Sequence, residues 1–140
     1  MSDHYEVVFA CFLHEDTPQS VLDALRWHLG LSRERPDHLD PDVHFDQRLA
    51  SDPDSPLAGG DIAELRLQDE GWGLSSRNYW LDDDIGGVFG LIELIAPHVA
   101  VRGYGGFLRE VGEAVPTVFA FADGGFGLTR RWGGLPVWQE

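Results

Sequence analysis

Apolar residues fall on both faces of the run Tyr5 to Leu13. Tyr5, Val7, Phe9, Cys11 and Leu13 share one face, and Val8, Ala10 and Phe12 the other. Side chains alternate along a strand, so this run predicts a central strand covered on both sides. Asp16-Thr17-Pro18 then reads as a helix start, a capping oxygen followed by a proline near the first helical position. Val21, Leu22, Leu25 and Leu29 recur at helical spacing, and Gly30 supplies the stop. From Ile62 to Gln68, Ala63, Leu65 and Leu67 alternate with Glu64 and Arg66, the pattern of a half-solvated strand. Asp69-Glu70-Gly71 is a turn, with Trp72 to Leu81 as the antiparallel partner. Asp82-Asp83-Asp84 opens a second helix that runs to about Ala96 and ends at Pro97. Val99 to Tyr104 is the next strand, extendable to Val111 through a glycine-rich kink. Thr117 to Ala122 and Phe126 to Arg131 flank Asp123-Gly124-Gly125, a strong hairpin signal.

Residues 31–60 are the least regular part, with four prolines and many aspartates; the even spacing of Val43, Phe45 and Leu49 fits a short edge strand within them. Residues 132–140 read as an irregular tail. The resulting order is strand, helix, strand, strand, helix, strand and an added hairpin. It predicts one α+β domain over residues 1–140, a ferredoxin-like split βαβ (βαββαβ) antiparallel sheet with a C-terminal β-hairpin extension. That architecture carries unrelated functions and does not choose among them.

Charge narrows the partners. The chain of 140 residues has 24 acidic and 10 basic side chains, a net charge of −14, and every basic residue is arginine. Nucleic-acid binding needs a cationic stripe that displaces counterions from phosphates. The only adjacent basic pair is Arg130-Arg131, so neither nucleic acid nor an anionic membrane is an expected partner. A basic protein would be steered toward such a field, although solubility alone also explains it. No stretch nears the roughly 20 apolar residues of a membrane-spanning helix, and Met1-Ser2-Asp3-His4 lacks the pattern of a secretory leader. The lone Cys11 fits a buried thiol in a reducing compartment. The cytoplasm is the expected location.

Candidate chemistry is sparse. His38, Asp40, Asp42 and His44 form the most metal-like cluster. In an extended segment each two-residue step covers about 6.5 Å, so the outer pair cannot share one ion. As a calcium loop it has Phe45 where glycine is needed. A solvated acidic loop is the plainer reading. His14-Glu15-Asp16 and Asp82-Asp83-Asp84 both read as helix-start chemistry rather than as acid–base or metal sites. No nucleophile motif is present, and Gly103-Tyr104-Gly105-Gly106 lacks the lysine of a phosphate loop. No metal, cofactor or catalytic residue is therefore expected.

Two features ask for more than a structural account. The second helix is apolar nearly all round and holds Gly86, Gly87 and Gly90, which fits tight packing on the sheet or a subunit interface. Glycine costs about 1 kcal/mol relative to alanine inside a helix. The strand Trp72 to Leu81 sets Ser76, Asn78 and Trp80 on one face and Ser75, Arg77 and Tyr79 on the other. Tryptophan, tyrosine and arginine are enriched in binding hot spots. The candidate ligand- or partner-binding residues are Trp72, Arg77, Tyr79, Trp80, Arg102 and Tyr104. The reading is a non-catalytic binding domain, a homodimer, that engages a protein (a basic partner, as an inhibitor or antidote would) or a small apolar ligand. The alternative is a small-molecule enzyme with a pocket between sheet and helices, where Arg77, Tyr79, Arg102 or Tyr104 hold the substrate.

The charge generates the first prediction. Fluorescence anisotropy with labelled DNA and RNA at moderate salt is expected to show no binding. Sub-micromolar, salt-sensitive association would contradict the electrostatic argument.

Overall fold

The computed structural model describes residues 4–130; the expected end of the last strand at Arg131 and the tail 132–140 lie outside the described residues. The described residues form an α+β fold, with a six-stranded antiparallel sheet and two α-helices. The elements run β1 (His4–Leu13), α1 (Gln19–His28), β2 (Ile62–Gln68), β3 (Gly71–Leu81), α2 (Gly87–Ile95), β4 (Gly103–Glu110), β5 (Thr117–Ala122) and β6 (Gly125–Thr129). Across the sheet the order is β2-β3-β1-β4-β5-β6. Among the described residues, no helix is long and apolar enough to cross a membrane.

β1 lies in the middle, pairing with β3 over its whole length and with β4 over Tyr5–Phe9. Its odd-numbered side chains enter the main core. Val7, Phe9 and Leu13 pack there with Leu74 and Trp80 of β3, Phe119 and Phe121 of β5, and the buried faces of both helices. Both helices therefore cover one face of the sheet.

Several ends differ from expectation for local reasons. α1 begins behind Pro18 without a side-chain cap, because the Thr17 hydroxyl donates instead to the His14 carbonyl at 2.6 Å. Its far end closes as expected: Gly30 takes φ +76°, and the Gly30 and Leu31 amides donate to the Trp27 and Arg26 carbonyls. Asp82–Asp84 form a separate 3-10 turn rather than the first turn of α2, and Ala96–His98, with Pro97, form another after it. β4 starts at Gly103; Val99 makes only an isolated bridge to Leu13. The glycine-rich kink is an irregular register between Tyr104 and Gly106. The β5–β6 hairpin turns on Asp123 and Gly124, both at positive φ, the backbone that a two-residue connection of this hand requires.

Residues 31–60 contain no strand; Val43, in a turn, and Phe45, in irregular chain, are both exposed. Leu39 and Leu49 are nevertheless buried, which anchors the segment on the helical side of the sheet. The glycines of α2 make room for it. A β-carbon at Gly90 would stand 2.9 Å from Val43 Cγ1, and one at Gly87 3.2 Å from Arg48 Nε. Those two glycines thus serve close approach by the segment rather than by the sheet.

A histidine pair ties the segment to α1. The Arg48 amide donates to Nδ1 of the fully buried His28 at 3.2 Å, so the ring proton sits on Nε2 and is donated to His44 Nδ1 at 3.0 Å. Burial, with the neighbouring His44 and Arg48, lowers the His28 pKa to about 3. Burial lowers His44 as well, with Asp40 opposing it.

This network generates a pH prediction. Above the ordinary value of 6.5 both folded and unfolded histidines are neutral, and the full stability is present. As the pH falls through that value the unfolded chain takes up a proton that the folded chain refuses. Stability then drops by up to about 1.4 kcal/mol per pH unit for each such histidine. Urea denaturation just below that pH, before the carboxylates titrate, should show a shallower slope for His28→Gln than for the parent. Equal slopes would contradict the assignment.

Candidate functional site

The even-numbered side chains of β1 point away from the helices, and the sheet face they share is the main candidate surface. Direct register brings Val8 beside Phe107 of β4, and Phe107 beside Val118 of β5. On the other side Val8 faces Arg77, and Ala10 and Phe12 face Ser75 and Gly73. Val8, Phe107 and Val118 are each half-buried, on the face of the sheet opposite the two helices.

At its centre stands an ionic triad. Glu6 is only 6% exposed although it lies on the open face. Arg77 Nε donates to its Oε2 at 2.7 Å, and Arg109 Nη2 donates to its Oε1 at 2.5 Å. Burial alone would push this carboxyl up; the hydrogen bonds and charges of the two arginines outweigh it and hold Glu6 below the usual range. Each guanidinium is pinned a second time. Arg77 Nη1 donates to the Ala58 and Gly60 carbonyls, and Arg109 Nη1 to the Glu113 carbonyl. Two loops are thereby fastened to the middle of the face.

Beside the triad, an open depression of about 450 Å³ is floored by Ala10, Cys11 and Gly73 and walled by Phe12, Arg66, Val101 and Tyr104. Glu64 also lines it, and two of its other ionisable residues, Cys11 and Tyr104, are shifted toward their neutral forms. Burial pushes the Cys11 thiol up to about 12. Burial, with the nearby Glu6 charge, also raises Tyr104. A thiol held protonated is not a ready nucleophile.

The sequence candidates divide between the two sides of the sheet. Arg77, Tyr79 and Tyr104 share the open face, where Tyr79 stacks on His4 at 5.0 Å and Tyr104 is 54% exposed. Trp72 and Trp80 point to the helical side. Arg26 lies over the Trp72 ring, and Arg48 over the Trp80 ring. Arg102 stands apart, in a small depression against the Asp123-Gly124 turn. In the histidine–aspartate cluster, His44 turns to His28, His38 meets the Ser20 carbonyl, and Asp40 accepts the Asp42 amide. Among the described residues, no three His, Cys, Asp or Glu side chains come together in a way that could hold a metal ion.

Glu6 and Arg109 escaped the sequence reading. The available signal was an acid on the even face of a strand whose even face is otherwise apolar; an acid there needs a cationic neighbour. Compared with protein-family models, curated proteins and solved structures, the chain finds no match.

Removing the central carboxylate leaves two guanidinium groups facing one another. Glu6→Ala is expected to cost about 2–3 kcal/mol in urea denaturation, less than a fully buried triad because both arginines are partly exposed. A change within about 0.5 kcal/mol would show the triad to be an ordinary surface network.

Proposed function

We propose that the chain is a non-catalytic binding domain whose working surface is the open face of its sheet. The observation that carries this reading is the row Val8, Phe107 and Val118, half-buried apolar side chains in direct register on the face of the sheet that neither helix covers. Contiguous exposed apolar surface beyond a few hundred Å² is uncommon in monomers and marks interaction sites. Arginines fixed by Glu6 and by loop carbonyls lose little freedom on binding, which favours recognition.

The partner that fits best is a second copy of the chain. On the strands of the open face Glu6 and Glu64 stand with Arg66, Arg77 and Arg109, so the acidic excess lies elsewhere. Pairing these faces brings together the least acidic parts of two acidic molecules. The dimer would then present the aspartate-rich segment 31–60, held in place by Leu39, Leu49 and His28, to a basic protein. Burial shifts both Cys11 and Tyr104 beside the depression toward their neutral forms, which weighs against the alternative enzyme reading. A reducing, cytoplasmic setting fits the single thiol.

We also assign the β1–β4 core to the ferredoxin-like split βαβ arrangement. What supports it is that β1 lies between β3 and β4, that β2 lies outside β3, and that a helix precedes both β2 and β4.

Sedimentation velocity at low and high salt tests the self-association. A dimer at tens of micromolar is expected to tighten as salt screens the repulsion between two chains of −14. Phe107→Glu, which places a charge in the row, is expected to give a folded monomer. A parent chain that stays monomeric under both conditions would contradict the proposal.

A further inference from the structure

Three hydrogen bonds between segment 31–60 and α1 meet on one residue, His28. The Leu49 amide donates to its carbonyl at 2.9 Å, the Arg48 amide donates to its Nδ1 at 3.2 Å, and its Nε2 donates to His44 Nδ1 at 3.0 Å. The ring of His28 is fully buried, so its polar atoms are satisfied through these partners. Both side-chain bonds need a bare accepting nitrogen, Nδ1 of His28 for the Arg48 amide and Nδ1 of His44 for the His28 proton. A proton added at either nitrogen turns an acceptor into a donor that faces another donor.

The surrounding charges do not compensate. His44 and Arg48 act on His28, and both oppose a cation there. At His44, Asp40 favours a cation, while Arg48 and His38 oppose it. Asp84, from the turn before α2, is engaged by Arg48 at 3.3 Å. The neighbours from α1 and β3 are the Trp27 ring, 4.8 Å from His28, and the Trp80 ring under Arg48, neither of them titratable. α2 meets His44 at Gly90, which brings no charge.

Further along, the segment is held by groups that mild acid leaves unchanged. Asn78 Nδ2 donates to the Ala50 carbonyl at 3.0 Å, and Arg77 Nη1 donates to the Ala58 and Gly60 carbonyls. Residues 43–49, by contrast, have no helix or strand; Val43 and Phe45 are already exposed, and Leu49 is the buried apolar anchor. A stretch with so few buried contacts opens at lower cost than the sheet. The closed form refuses a proton that the open form accepts, so opening gains as the pH falls below the ordinary histidine value of 6.5.

We infer that His28 and His44 form an acid-released clamp: protonation at either ring frees residues 43–49 from α1 while the sheet and the rest of the segment stay folded. Release uncovers Leu49 and the core beneath it, so mild acid opens an apolar surface on the helical side that is closed at neutral pH. The clamp is independent of any pairing of open sheet faces.

Amide hydrogen exchange on the full chain, with urea added below the unfolding transition, separates local from global opening. The Arg48 and Leu49 amides should exchange through an opening that low urea does not accelerate, whereas Val7, in the middle of the sheet, exchanges by unfolding. Protection of Arg48 and Leu49 should fall at least about tenfold between about pH 7 and about pH 5. His28→Gln, whose amide can accept from Arg48 and donate to His44 without titrating, should lose several-fold less. If that variant does not fold, His28→Asn, whose Oδ1 can keep the bond to the Arg48 amide, replaces it. Equal protection at both pH values, exchange of Arg48 and Leu49 with the urea dependence of Val7, or an undiminished fall in the folded His28 variant would overturn the assignment.

Discussion

One strand with two apolar faces governs this molecule. β1 sits in the middle of the sheet, so it cannot hide either face at an edge. Its odd-numbered residues are covered by α1, α2 and segment 31–60; its even-numbered residues Val8, Ala10 and Phe12 have no equivalent layer among the described residues. The sheet responds by placing Phe107 and Val118 next to Val8, which concentrates apolar surface instead of dispersing it. Glu6 is tolerable in that setting only because two arginines reach it from the neighbouring strands β3 and β4. Their remaining donors tie down Ala58, Gly60 and Glu113, so the triad fixes the rim of the face as well as its centre.

The other side of the sheet is a layer built from helices and irregular chain together. Segment 31–60 has no regular structure of its own, yet it completes the core through Leu39 and Leu49 and holds its course through His28, Asn78 and the glycines of α2. Arg48 is the hinge of that packing, reaching Asp84, the Trp80 ring and the surface left open by Gly87.

Much of the architecture was legible before the structure. Strict alternation marked β2 over its observed span, and Asp123-Gly124 marked the final turn, because these signals are local. Long-range packing was not legible. The aspartates near α1 and α2 looked like caps, but neither helix has a side-chain cap; a turn closed by Thr17 and a 3-10 turn satisfy those ends instead. The glycines of α2 were visible as a request for close approach, whereas the approaching residues, Val43 and Arg48, come from a segment with no periodic signal. For the candidate site, alternation separated Arg77 and Tyr79 from Trp80. The gathering of Glu6, Arg77 and Arg109 depends on strand order and register, which spacing within one strand does not encode.

The central claim is that the open face of the sheet is an interface rather than a solvated surface. Hydroxyl-radical labelling followed across a range of protein concentrations tests it most directly. Tyr104 and Phe107 should become protected as concentration rises, while Phe45, exposed on the opposite layer, keeps a constant rate. Labelling of Tyr104 and Phe107 that is independent of concentration, in parallel with Phe45, would contradict it.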